Sequence, residues 1–258
     1  MSRLRAKCPD CKTFTAVALG PEYECHSCGR VFRSGLLRVP QAWGEGGEAM
    51  AEAAWLELPQ PETAIIEADT LEEQNLALAA DLPERPLVLG GCCCSHIGAV
   101  EGLAARQERL SLIWFDAHGD LNTSETSPSG NLWGMPLRML IDSGAVEVDD
   151  VALVGARNLD PPEEEYISAQ GIHVGEEGIS RALAGSGCTY VAFDVDVLEP
   201  SEASVFMPEP GGLSLEEAER LLRAIDARTD VLGAGFTGAT FEPANVGPLA
   251  RLAAALEL

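Results

Sequence analysis

The 258-residue chain is long enough for one full α/β domain plus a small appendage, and 46% apolar content with few aromatics describes a core that folds without outside staples. A formal net charge of −24 repels nucleic acid and anionic lipid and favours a small cationic ligand in an acid-lined cleft; bound divalent metals would cancel part of that charge. No run approaches the roughly 20 apolar residues of a membrane helix, and Met1-Ser2-Arg3-Leu4-Arg5-Ala6-Lys7 lacks an apolar signal core, so a cytoplasmic chain without membrane attachment is expected.

The first motif in chain order is Cys8-Pro9-Asp10-Cys11 followed, thirteen residues on, by Cys25-His26-Ser27-Cys28. Each C-x2-C knuckle aims two thiolates at one ion, which is the spacing of a zinc ribbon, whereas a cytoplasmic chain disfavours the rival pair of disulfides. Zinc held by Cys8, Cys11, Cys25 and Cys28 is closed and structural, and it contributes on the order of 10 kcal/mol to a segment too small for its own core. His26 is surplus to the ligand set. Residues 1–40 are therefore expected to form the ribbon, 41–62 a Pro-, Gly-, Ala- and Glu-rich connector with a short helix near Glu48 to Leu56, and 63–258 the main domain.

In that main domain the patterning predicts a strand at Ala64–Ile66, an amphipathic helix at Leu71–Leu82 and a buried strand at Pro86–Leu89 leading into Gly90-Gly91. A helix follows at Ala99–Glu108, a strand at Leu110–Phe115 and a helix at Met135–Ser143. Next come strand Val151–Val154, helix Pro162–Gln170, a short strand about His173 and helix Ile179–Ala184. The chain closes with strand Tyr190–Phe193, helix Ser214–Arg228, strand Val231–Thr237 and helix Pro248–Leu256. Alternating elements with strands apolar on both faces predict a mainly parallel sheet covered on both sides, a three-layer αβα sandwich.

Two of these strands end in metal-type ligands. Trp114-Phe115-Asp116-Ala117-His118-Gly119-Asp120 ends one strand, and Phe193-Asp194-Val195-Asp196 ends another, at the carboxyl ends where open α/β sheets place their sites. If the segments are extended, Asp116, His118 and Asp120 share a face at about 7 Å spacing. Four aspartates gathered there repel by on the order of 4 kcal/mol per pair at about 4 Å unless cations sit among them. Oxygen ligands with one imidazole suit Mn²⁺, and bridging carboxylates would hold one or two such ions.

These residues resemble the arginase or ureohydrolase family, over roughly Leu87 to Leu258, and within it arginases proper, through Asn122, Thr123, Ser129-Gly130-Asn131, Gly134, Arg157-Asn158-Leu159-Asp160-Pro161 and Gly211-Gly212-Leu213. The resemblance implies one metal on Asp116, His118, Asp194 and Asp196. It implies a second on Asp116, Asp120, Asp194 and a His of a Gly-Gly-Asp-His turn. Here that turn reads Gly90-Gly91-Cys92-Cys93-Cys94-Ser95-His96, so Cys93 stands in the position of that His. A thiolate ligand favours Zn or Fe over Mn, and His96 is the alternative ligand. The family's proton-shuttling His is Trp133 in this chain, and its Thr near the guanidinium is Met207.

By the same resemblance, Asp120 orients or deprotonates a water, Glu242 pairs with the guanidinium, and Asn122, Ser129, Asn131, Trp133 and Asp160 surround an amino-acid end. The implied activity is metal-dependent hydrolysis of a guanidino or amidine C–N bond in an arginine-like or other guanidino compound, by a homo-oligomer, trimer or hexamer. Slow arginine turnover is expected without the shuttle. Two other readings are weighed: a single-metal deacetylase of acylated amines, and a degenerate hydrolase domain serving as an interaction or regulatory module.

Overall fold

The alternation of apolar strands and helices produces one eight-stranded sheet, parallel throughout. The structure is a computed structural model that describes residues 5, 6, 8, 10–19, 22–32 and 34–258; of the start read for a signal segment, residues 1–4 and Lys7 lie outside the described residues. Four short strands come first, β1 (Arg5–Ala6), β2 (Ala16–Leu19), β3 (Glu22–Cys25) and β4 (Val31–Phe32), paired in sequence as an antiparallel meander.

The main domain then runs β5 (Ser34–Val39), α1 (Glu48–Ala53), β6 (Glu62–Ile65), α2 (Leu71–Asp81), β7 (Arg85–Gly90), α3 (Ser95–Ala104), β8 (Ser111–Phe115) and α4 (Pro136–Asp142). It continues through β9 (Val151–Val154), α5 (Pro161–Gln170), β10 (His173–Val174), α6 (Gly175–Ala182), β11 (Cys188–Asp194), α7 (Leu215–Asp226), β12 (Asp230–Thr237) and α8 (Val246–Ala255). The strand order is β10-β9-β8-β11-β12-β7-β5-β6.

Alternation along each strand divides the core in two. Ile113 and Phe115 of β8 join Val191 and Phe193 of β11 in a cluster with α6, α7 and α8, while Leu112, Trp114, Tyr190 and Ala192 pack on the other face with α2, α3 and α4. Both faces are therefore covered, as the apolar strands predict. Among the described residues no helix is long and apolar enough to cross a membrane.

The sheet takes more of the chain than the cysteine spacing suggests. Residues 34–39, expected within the N-terminal ribbon, are β5, hydrogen-bonded to both β6 and β7, with Leu36, Leu37 and Val39 fully buried. The composition shift that begins beside it obscures the apolar Leu36-Leu37 pair. α3 also starts at Ser95 rather than Ala99, which places His96 in its first turn.

Candidate metal centre and cleft

The site lies at the carboxyl ends of β7, β8, β11 and β12, neighbours at the middle of the sheet. β8 stops at Phe115. The residues beyond it turn rather than extend: the His118 N–H donates to Asp116 Oδ1 at 2.7 Å, and Asp120 adopts φ 53°. The expected even spacing along an extended strand is thus corrected. The ligands converge because the chain folds back, and a non-glycine residue at positive φ at that spot holds strain that the surrounding contacts must sustain.

The second segment folds in the same way. Asp194 closes β11, and its Oδ1 accepts the Asp196 N–H at 2.9 Å, while Asp196 Oδ1 accepts the Ala117 N–H at 3.0 Å and so ties the two segments together. Gly238, at φ 73°, follows β12 directly against the Asp194 carboxylate, where a side chain would collide with it.

Two ligand groups result, sharing Asp116. Cys93, Asp116 and Asp120 bring ligand atoms within 4.8 Å of one another, and so do Asp116, His118 and Asp196. His118 Nδ1 is 3.0 Å from Asp196 Oδ2 and 3.4 Å from Asp116 Oδ1. Cys93, in the turn after β7, places Sγ 2.9 Å from Asp194 Oδ2, 3.7 Å from Asp116 Oδ2 and 3.2 Å from Thr237 Oγ1. His96 belongs to neither ligand group. Its ring is buried, with Nδ1 3.2 Å from the Tyr190 hydroxyl and Nε2 3.3 Å from Thr237 Oγ1, and burial pushes its pKa down to about 3.

The electrostatics call for cations. Burial pushes Asp194 up to about 7, and burial together with the Asp116 charge raises Asp120 and Asp196. Burial also lifts the Cys93 thiol, reinforced by Asp194, Asp120 and Asp116. His118 goes the opposite way for an opposite reason: burial lowers it, but its hydrogen bonds to Asp116 and Asp196 prevail and push it up to about 12. Asp120 Oδ2 is buried without a hydrogen-bond partner. An orphaned carboxylate oxygen beside mutually repelling acids is the donor chemistry of a divalent-ion site, so these residues fit the implied metals.

A cleft of about 280 Å³ opens over the ligands, lined by His118, Asp120, Asn122, Ser129, Trp133, Asn158, Asp160, Glu163 and Met207 among others. A roomier surface hollow of about 400 Å³ lies elsewhere, around Glu108, Arg109 and Gly144, and holds none of these ligands. Asn122 Nδ2 donates to Asp160 Oδ2 at 2.8 Å. Asp160 caps α5, its N–H donating to Glu163 Oε2 at 2.9 Å, while Glu163 Oε1 accepts the Leu121 N–H at 2.9 Å. Ser129 is exposed at the rim and accepts the Asn131 N–H at 3.2 Å.

Two predicted residues are placed differently. Asn131 Oδ1 accepts the Glu45 N–H at 2.9 Å, so it pins the loop before α1 and does not line the cleft. Glu242 is exposed in the loop after β12 and lines neither the cleft nor the small pocket directly over the ligands. Trp133 and Met207 line both, and Trp133 stands edge-on to Phe206 at 6.0 Å, which makes that wall apolar.

Several contributors were missed from the sequence. Glu163 was legible as the third residue of a capping box that opens at Asp160. Thr237, bonded to Cys93, Asp194 and His96, and Glu209, which accepts from Asn158 Nδ2 at 2.7 Å and faces His118 Nε2 at 3.8 Å, carry no local signal.

The model of the arginase family matches residues 57–238. An arginase of Bacillus caldovelox is 35% identical over 178 residues, 58% of this chain and 60% of that one. An arginase of Bacillus subtilis is 37% identical over 160 residues, 52% of this chain and 54% of its own. The chain thus spans little more than half the length of these curated relatives. The solved Bacillus caldovelox arginase superposes with a TM-score of 0.75 at 26% identity, covering 86% of this chain and 97% of the solved chain.

Proposed function

The chain belongs to the arginase family, and from that membership we propose that it is a metal-dependent hydrolase of a guanidino or amidine C–N bond, its substrate an arginine-like or related guanidino compound. The observation that carries this reading is the pair of ligand groups joined at Asp116. Asp116, His118, Asp194 and Asp196 would hold one divalent ion, and Cys93, Asp116, Asp120 and Asp194 a second. Mn²⁺ suits the oxygen-rich first set, and the Cys93 sulfur draws the second towards Zn or Fe. When bound, such ions supply Lewis acidity and bring the ionisation of water close to neutral pH.

The chain's own residues do the rest. Asp120, buried with Oδ2 unpaired in the cleft lining, would take the proton released by the water that attacks the C–N carbon. Asp160, Asn122 and Glu163 form a rigid acidic end, locked by the α5 cap, that receives a cationic group by charge-assisted hydrogen bonds. Trp133 and Met207 exclude water from the wall between. With Glu242 outside the cleft, Glu163 is the buried carboxylate outside the ligand groups that lines it. The trimer or hexamer implied by resemblance belongs to the same proposal.

The test is metal analysis of the purified chain, paired with urea and ammonia release from a panel of guanidino compounds. Metal bound in proportion to intact Asp116 and urea released from at least one compound support the reading. A chain that binds no ion at this site in excess Mn²⁺ or Zn²⁺ overturns it. Acetate release from acylated amines without urea release would favour the single-metal deacetylase.

A further inference from the structure

The N-terminal meander lies outside the residues matched by the arginase family, and its four cysteines take no part in the centre at the sheet. Cys8, Cys11, Cys25 and Cys28 bring their sulfurs within 4.8 Å of one another, with Cys8 to Cys28 and Cys11 to Cys25 each at 3.5 Å. Sulfurs at the corners of a tetrahedron about Zn²⁺ stand about 3.8 Å apart, given Zn–S bonds of about 2.3 Å.

The backbone around them repeats itself. After each C-x2-C pair the chain turns through a residue at positive φ, Lys12 at 57° and Gly29 at 74°. In each, that residue's N–H returns to the carbonyl of the first cysteine, Lys12 to Cys8 at 3.0 Å and Gly29 to Cys25 at 2.7 Å. Two matched knuckles therefore face one another with all four sulfurs inward. Hydroxyl groups support the thiolates: Thr13 Oγ1 is 3.0 Å from Cys11 Sγ, and Thr15 Oγ1 is 3.3 Å from Cys25 Sγ. Among the described residues the meander's own core is small, Ala6, Ala16 and Tyr23 beside the cysteines themselves, with Ala18 and Phe32 partly buried against them. So few apolar side chains do not hold a four-stranded meander without a cross-link.

The meander's position gives the site a purpose. Among the described residues β6 pairs with β5 alone, which leaves its other side a sheet edge, with Ile65 exposed. β1 packs against β6, and Cys8 shares a small hollow of about 90 Å³ with Arg38, Pro59 and Glu62 at that edge. Unpaired edges invite pairing with other chains, and a covering element removes that liability.

We propose that Cys8, Cys11, Cys25 and Cys28 bind one structural Zn²⁺, and that the zinc-locked meander is the cover of the β6 edge. The site is closed, with no open position for a reacting molecule, and does not depend on the hydrolase reading. The experiment uses the full chain. Zinc content and mass are measured for wild type, Cys28→Ser, Cys11→Ser and Cys93→Ser, the last reporting on the sheet centre alone. Hydrogen exchange is followed at Glu62–Ile65 before and after a thiol-directed reagent ejects the metal.

The expected result is one zinc lost per chain in Cys28→Ser and Cys11→Ser, whereas any zinc lost in Cys93→Ser comes from the sheet centre and leaves the cobalt bands of the four-thiolate site intact, with exchange at β6 quickened on ejection while β8 and β11 stay protected. Wild-type zinc content in the first two variants, or a mass showing two disulfides, overturns the site. Zinc release without change at β6 overturns the edge role. For a variant too unstable for exchange measurements, cobalt substitution reads the same four-thiolate site through its bands in the visible spectrum, and their absence from the wild-type chain overturns the site.

Discussion

Acidifying the protein from about pH 7 to about pH 4.5 is expected to remove roughly 2 to 3 kcal/mol of stability through one residue, His96. The ring is buried in the first turn of α3, edge-on to Trp114 at 5.2 Å and held between Tyr190 and Thr237, with no carboxylate in contact. Burial alone takes its pKa from 6.5 to about 3. The folded imidazole thus stays neutral across this range, whereas the unfolded one gains a proton below its ordinary pKa. The unfolded state binds more protons, so stability falls as pH falls, by up to about 1.4 kcal/mol per unit, and is fully present at neutral pH and above. Urea unfolding of wild type and His96→Gln in the same metal-free buffers isolates the effect. The variant starts from its own stability, and the difference between the two chains changes by roughly 2 to 3 kcal/mol over the acid step. Parallel losses in the two chains would refute the assignment of a neutral, desolvated imidazole. The consequence reaches the site, because Thr237 links His96 to Cys93 and Asp194.

Cys93→His replaces a soft ligand with a borderline one and is expected to move metal preference from Zn or Fe towards Mn; competition between the ions with content read by elemental analysis checks it, and unchanged selectivity would remove Cys93 from the ligand set. Trp133→His is expected to raise urea release from arginine by about 100-fold, the lower end for a positioned acid–base group, and an unchanged rate would show that proton delivery does not pass through this wall. Gly238→Ala puts a methyl group against Asp194 and strains a backbone at φ 73°. It should cost about 1–2 kcal/mol in backbone strain alone, read by urea unfolding, and should lower metal affinity as well, read by chelator competition.

The residues that cluster were readable because their chemistry is local: an apolar strand that ends in Asp-x-His-x-Asp has few other uses, and the structure brings Asp116, His118, Asp120, Asp194 and Asp196 together with Cys93. The manner of convergence was not readable. An extended segment and a folded turn carry the same residues, and only the bonds from Ala117, His118 and Asp196 to the carboxylates distinguish them. Glu242 shows the opposite case, since resemblance alone suggested it for the site while the loop after β12 leaves it exposed.

What no local pattern contains is the sheet order. Thr237 supports Cys93 and Asp194 because β12 lies between β11 and β7, with Asp194 in register with Thr237 and Leu89 in register with Phe236. Parallel strands far apart in sequence deliver their carboxyl ends to one line, so residues 93, 194 and 237 meet although over forty positions separate each from the next. A centre assembled from strand ends draws its ligands from motifs but its supports from topology. That is why the acids were found from sequence, whereas Thr237, Gly238 and the bonds that hold His96 emerge only once the strands are set side by side.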